Sequence, residues 1–145
     1  CWCSLLSDDR ILTPWARRMS NSTVVFISGH LDLTVDEFDA HYRPTLERFL
    51  ASSPPASFVV GDARGCDLMA QEFLAKHSRS IVTVFHMFET PRHNAGNFAL
   101  SGGYTTDAAR DAAMTEASTV DLAWVRPGRE KSGTAPDGSF RLRPR

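Results

Sequence analysis

The sequence predicts a three-layer α/β/α fold built on a mainly parallel sheet of at least four strands. Three observations carry this. Short, continuous apolar runs recur along the chain, the stretches between them carry apolar residues at helical spacing, and the runs at 24–27 and 58–60 are closed by glycine-containing segments. Continuous runs mark strands buried on both faces, and strands alternating with helices call for parallel pairing through helical crossovers.

Val24-Val25-Phe26-Ile27, closed by Ser28-Gly29, is the first strand. Thr34 then caps a helix with Asp36 and Glu37 in its first turn and a stripe of Phe38, Tyr42, Leu46, Phe49 and Leu50, the pattern of one buried helical face. Ser52-Ser53-Pro54-Pro55 ends it, and Phe58-Val59-Val60 with Gly61 forms the second strand. Asp67 stands where an N-cap belongs for a helix whose inner face is Leu68, Ala70, Phe73 and Leu74. Ile81 to Phe85 is the third strand, followed by a loop rich in Asn, Gly and Pro from about His86 to Tyr104. A connection of that length is expected to be a lid or binding element, with Arg92, His93 and Asn94 at its tip. Thr105 or Thr106 starts an alanine-rich helix to about Glu116, and Val120 to Val125 is the fourth strand. The order is that of a Rossmann-like sheet.

With 145 residues, 42% of them apolar and 23% charged, the chain has the composition of one globular domain, expected over residues 22–135. Residues 1–21 follow no sustained period and read as a poorly ordered extension, with Met19 as the start of the domain; the rival reading docks Trp2, Leu5, Leu6 and Trp15 on a partner. Residues 136–145 read as an irregular tail. A net charge of −1 lacks the basic excess of a duplex-DNA binder and argues against nucleic acid as a partner. No apolar run approaches the ~20 residues that cross a bilayer. Three cysteines, Cys1, Cys3 and Cys66, give no disulfide framework, so a cytoplasmic location is expected. Cys1-Trp2-Cys3 lacks a second pair at finger-like spacing, and the five histidines show no metal-ligand spacing, so no metal is expected.

In an open parallel sheet, ligands gather beyond the carboxyl ends of the strands, where strand order reverses. The residues standing there are Ser28, Gly29 and His30 after the first strand, 61–67 after the second, and Arg126, Pro127 and Gly128 after the fourth. Gly29, Gly61, Arg64 and Gly128 are expected to meet around one cavity. Gly61-Asp62-Ala63-Arg64-Gly65-Cys66-Asp67 is the sharpest of these segments. Its glycines let backbone approach a ligand, Arg64 offers either a fork for an anion or a surface ion pair, and Asp67 either caps the helix or accepts from a ribose hydroxyl. Cys66, beside an arginine, reads as a reactive thiol or a small buried residue. Gly102 and Gly103 lead into the helix beginning near Thr106, where backbone N–H groups can hold phosphate. Asp107 is a first-turn stabiliser or a ribose or catalytic carboxylate, and Arg110 shares its helix face.

The segment 61–67 resembles the Gly-Gly-Ala-Arg-Gly-Ala-Asp signature of the SLOG superfamily. This group of Rossmann-like proteins includes the YpsA-like group, the DNA-processing protein DprA and the LOG-type phosphoribohydrolases. Arg110-Asp111-Ala112-Ala113-Met114, then Val120 to Gly128 and Ser132-Gly133-Thr134, is similar to its second half, where an Arg-x-x-x-Met helix leads into a strand and a Pro-Gly-Gly-x-Gly-Thr phosphate loop. Together the matches span roughly residues 23–135. Here Arg129 replaces the second glycine of that loop, Glu130 and Lys131 lengthen it, and the position of the LOG glutamate falls on Pro136 or Asp137.

The resemblance implies a nucleotide or nucleotide-derived ligand; with the strand-end and helix-start positions, the residues expected to hold it, with no further cofactor, are Ser28, Gly29, His30, Gly61, Asp62, Arg64, Gly65, Asp67, Gly102, Gly103, Gly128, Ser132, Gly133 and Thr134. It also implies a homodimer. Within it, the chain reads as a sensor or binding domain. The alternative is an enzyme cleaving the N-glycosidic bond of nucleoside monophosphates, or a deoxyribosyltransferase-like enzyme. In that case Arg110 and Arg64 clamp phosphate, and Asp62, Asp67 or Asp107 supplies a carboxylate.

Overall fold

The computed structural model describes residues 23–77, 81–128 and 140–142. The expected extension over 1–21, with Met19 and the Cys1-Trp2-Cys3 pair, lies outside the described residues, as do Ser132, Gly133 and Thr134. The elements run β1 (Val24–Ser28), α1 (Val35–His41), α2 (Arg43–Ala51), β2 (Ser57–Gly61), α3 (Cys66–Ala75), β3 (Ile81–Met87), β4 (Ala99–Tyr104), α4 (Asp107–Ala117), β5 (Val120–Ala123) and β6 (Phe140–Leu142). They build one sheet of order β4-β3-β2-β1-β5-β6. The first five strands are parallel, with β6 antiparallel on β5, as in a Rossmann-like α/β fold. No helix among the described residues is long and apolar enough to cross a membrane.

Alternation along each strand divides the core in two. Val25, Ile27, Phe58, Val60, Val82, Val84, Val120 and Leu122 face one way and pack with Phe38, Tyr42, Leu46, Ala70, Phe73 and Leu74 of α1, α2 and α3. Val59, Phe85 and Met114, with Val24, Phe26, Tyr104 and Ala113, form a smaller cluster beneath α4 on the opposite face. These are the three expected layers.

Five local expectations are corrected. The helix expected from Thr34 to Leu50 is two helices meeting at Tyr42, because Pro44 stands at the start of α2 and has no N–H to continue α1. The N-cap of α3 is Gly65 at φ 77°, with Asp67 at the second position of the helix. A side chain at position 65 would strike the carbonyl oxygens of His30 and Leu31, so only glycine turns here. Leu68 is half-buried, and Gln71 takes the buried position instead. The loop expected over 86–104 contains β4, which pairs with β3 across a bulge between Phe85 and Met87. Its Ala-Leu-Ser-Gly-Gly sequence lacks the apolar density of a central strand, and it lies at an edge, where such composition is tolerated. The tail expected to be irregular contributes β6, whose backbone pairs with β5 from Val120↔Leu142 to Leu122↔Phe140.

The sheet reverses its strand order between β1 and β5. Tyr42, fully buried, ties that junction together. Its hydroxyl donates to the Ser28 carbonyl at 2.6 Å and accepts from the Trp124 N–H at 3.0 Å, joining the carboxyl ends of both strands. Burial pushes the phenol's pKa far up, so the proton stays on the donor. Nearby, Thr34 and Glu37 exchange the two bonds of a capping box. Glu37 also receives Arg126 at 2.8 Å through both Nε and Nη2, chiefly for which its pKa falls to about 2. Replacing Tyr42 by Phe strands the buried Trp124 N–H and should cost about 2 kcal/mol. Urea unfolding of Y42F reads this out as a lower midpoint at unchanged slope.

Candidate functional site

Beyond the carboxyl ends of β1 and β2 a cleft of about 190 Å³ opens beneath the first turns of α4. Backbone of Ser28, Gly29, Gly61 and Ala63 forms one wall, Asp67, Arg110 and Asp111 the polar part, and Phe26, Leu31 and Met114 the apolar part. Gly61 makes room for the polar pair. A Cβ there would lie 2.5 Å from Asp67 Oδ2 and 3.8 Å from Arg110 Cζ, so the carboxyl and the guanidinium sit side by side against bare backbone.

The electrostatics are those of a crowded pocket. Burial pushes the Asp67 carboxyl up to about 7, opposed by its 3.3 Å bond from the Ala63 N–H and by Arg110, and reinforced by Asp62 and Asp111. Asp62, with no exposed side-chain surface, goes the other way. Burial raises its pKa, but the bonds from Arg92 prevail and hold it below the ordinary carboxylate range. Arg92 donates to Asp62 Oδ2 from its backbone N–H at 2.9 Å and from Nε at 3.2 Å, and to Oδ1 from Nη2 at 2.9 Å. Arg110 reaches the same Oδ1 from Nη1 at only 3.4 Å. Its remaining ion pairs are with Asp107 at 3.4 Å and Asp111 at 3.2 Å, both exposed carboxylates.

The segment from Phe88 to Phe98 is strapped to this end of the sheet. Its Arg92 holds Asp62, and His93 Nδ1 lies 2.9 Å from the Asp62 carbonyl, which accepts its proton. Buried Gln71 completes the anchor. Its amide nitrogen donates to the carbonyls of Gly61 (2.8 Å) and His93 (3.3 Å), and its oxygen accepts from the Ala95 N–H (2.9 Å).

Of the residues read from the sequence, Ser28, Gly29, Gly61, Asp67 and Arg110 line the cleft, and Asp62 lies buried against Arg110. Arg64 follows the lining residue Ala63, exposed and without an ion pair among the described residues. Asp107, 76% exposed, serves the first turn of α4 as an ion-pair partner of Arg110. His30 is turned away from the cleft. It is buried edge-on to Trp124, and its Nε2 accepts the Arg126 N–H at 2.8 Å, which places the ring proton of the neutral form on Nδ1. Gly102 and Gly103 stand in β4 rather than at a helix start, Gly102 against the His86 ring, and neither lines the cleft. Gly128, exposed at φ 90°, is also outside the lining, so the four expected around one cavity do not all meet there. Cys66 is buried under Gly29, and burial pushes its thiol up, away from reactivity.

Sequence reasoning missed the roles of Tyr42, Gln71 and Arg92. Only Gln71 carried a local signal, a polar residue at a core position of α3. No family model, curated protein or solved structure matches this chain.

Asp67 binds its proton more tightly in the folded chain than the ordinary value of 3.8, so folding stability falls as pH rises from about 4 to about 7. Replacing Asp67 by Asn removes that slope. The variant's advantage over the parent should grow by on the order of 2 kcal/mol between pH 4 and pH 8, less than a fully enclosed carboxyl would give because the cleft is open. Equal gains at both pH values in urea unfolding would contradict the assignment.

Proposed function

We propose that the cleft binds the ribosyl phosphate part of a nucleotide or nucleotide-derived ligand, as the SLOG resemblance of residues 61–67 and 110–128 implies. The observation that carries this reading is the juxtaposition of Asp67 and Arg110 over Gly61 at the carboxyl end of β2, one strand from the point where strand order reverses. A carboxyl there accepts from sugar hydroxyls, and the guanidinium beside it answers a phosphate. The ion pairs of Arg110 with Asp107 and Asp111, both exposed carboxylates on its own helix, are worth only ~0.2–1 kcal/mol each, which a phosphate dianion readily replaces. Arg64, exposed beside Ala63, offers a second fork at the mouth, and the start of α3 adds its positive dipole. At about 190 Å³ the cleft is smaller than the ~300–1,000 Å³ of sites enclosing drug-sized ligands, which suits a sugar phosphate with the base resting outward. Leu31, 54% exposed and part of the lining, is an apolar surface for that base.

A second reading, cleavage of the N-glycosidic bond of a nucleoside monophosphate, is favoured by Asp67. A carboxyl titrating near 7 is half-protonated at neutral pH and able to give a proton to a departing base. The two readings separate on D67N, which keeps ligand affinity within a few-fold but abolishes release of free base if the chain is an enzyme.

A thermal-shift screen against nucleoside mono- and diphosphates, NAD and ADP-ribose tests both. A ligand at about 100 times its dissociation constant adds about 2.7 kcal/mol and raises Tm by several degrees. R110Q should remove that rise while leaving the unliganded Tm within a few degrees of the parent. Absence of a shift with every compound overturns the proposal.

A further inference from the structure

We infer that Arg92, outside the cleft on the strap, sets the charge the cleft accepts by holding Asp62 so that Arg110 remains available to an anionic ligand. The inference rests on the nucleotide-binding reading and gives a role to a residue that lies outside the cleft lining.

Asp62 is a carboxylate with no exposed side-chain surface, and such a charge persists only when strongly paired. Two guanidiniums reach it, and they share one oxygen, Oδ1. Arg92 approaches with a two-pronged fork plus its own backbone N–H, at 2.9–3.2 Å, whereas Arg110 makes one contact at 3.4 Å. The division is lopsided. Arg92 carries the neutralisation and Arg110 stands by, leaning on Asp62 without being consumed by it. Geometry makes the roles exchangeable in one direction only. Arg92 is 55% exposed and sits on a loop, so its removal leaves the strap's backbone bond to Asp62 but no charge. Arg110, 11% exposed and already within 3.4 Å, is the cation placed to take over. Once it does, its positive charge is spent on a buried carboxylate and is no longer offered to phosphate. The cleft then keeps its shape and its Asp67, but repels anions.

This predicts an effect on ligand charge and not on ligand shape. AMP and adenosine share the sugar and base and differ by the phosphate, so they are the probes. By isothermal titration, R92Q should lose about tenfold in AMP affinity with adenosine affinity unchanged. R92K, which keeps a cation at the strap, should recover most of the loss. In a D62N background no buried charge needs an arginine, and R92Q should then have no further effect on AMP.

Equal losses for AMP and adenosine in R92Q would mean that Arg92 merely holds the strap, and would overturn the inference. So would a full loss in the D62N background, or an unchanged AMP-to-adenosine ratio. Should R92Q fail to fold, R92K and the D62N pair decide between the same outcomes. A parent protein that binds neither AMP nor adenosine refutes the reading of the cleft itself, and the inference with it; a parent that binds AMP while its R92Q counterpart does so equally refutes the inference alone.

Discussion

A negative charge sealed at the end of a central strand is the constraint from which this side of the molecule is built. Asp62 follows β2 with no exposed side-chain surface, and an unpaired buried carboxylate costs several kcal/mol. The chain answers from two directions, with the 88–98 segment folding back to deliver Arg92 and α4 presenting Arg110. The His93 and Gln71 bonds fasten the strap at the same point. Cleft, strap and covering helix meet at this single desolvated group.

The second organising contact, the Tyr42 hydroxyl, is neutral and works differently. Ser28 ends β1 and Trp124 follows β5, far apart in sequence, and a hydroxyl that both donates and accepts holds them at a fixed spacing without introducing charge. Position 29 must then be small, because Tyr42 and Cys66 occupy the space a side chain would fill. The glycine after β1 answers core packing as much as ligand approach. Glycines at strand ends are therefore ambiguous markers of a site, and Gly102, which accommodates the His86 ring, is another instance.

Layer architecture was legible because it depends on periodicity alone. The runs at 24–27, 58–60 and 81–85 became strands, and the alternate facing of Val25 and Phe26 follows from the pleat. The elements that escaped were those whose stability comes from partners distant in sequence. β4 is strand because β3 offers it an edge, and β6 because β5 does; neither has the residues to advertise itself. The break at Tyr42 was written in Pro44 but masked by an apolar stripe that continues across it. Within the site, Gly61, Asp67 and Arg110 could be named from their positions after a strand and within helix starts. Arg92 could be named only as part of the tip of a long loop, not as the partner of Asp62, since nothing local distinguishes an arginine in a loop from one folded back across 30 residues onto a buried acid.

The arrangement of α4 carries one more implication. It is the helix that covers the β1–β4 face among the described residues, and it rests there on a small cluster around Val59, Phe85 and Met114. Arg110 is one helical turn from Met114. Interiors this close-packed transmit volume changes as displacements rather than absorbing them. A methylene gained or lost under Met114 would therefore translate the guanidinium relative to Gly61, tuning the mouth of the cleft through the hydrophobic layer beneath it without altering any polar side chain.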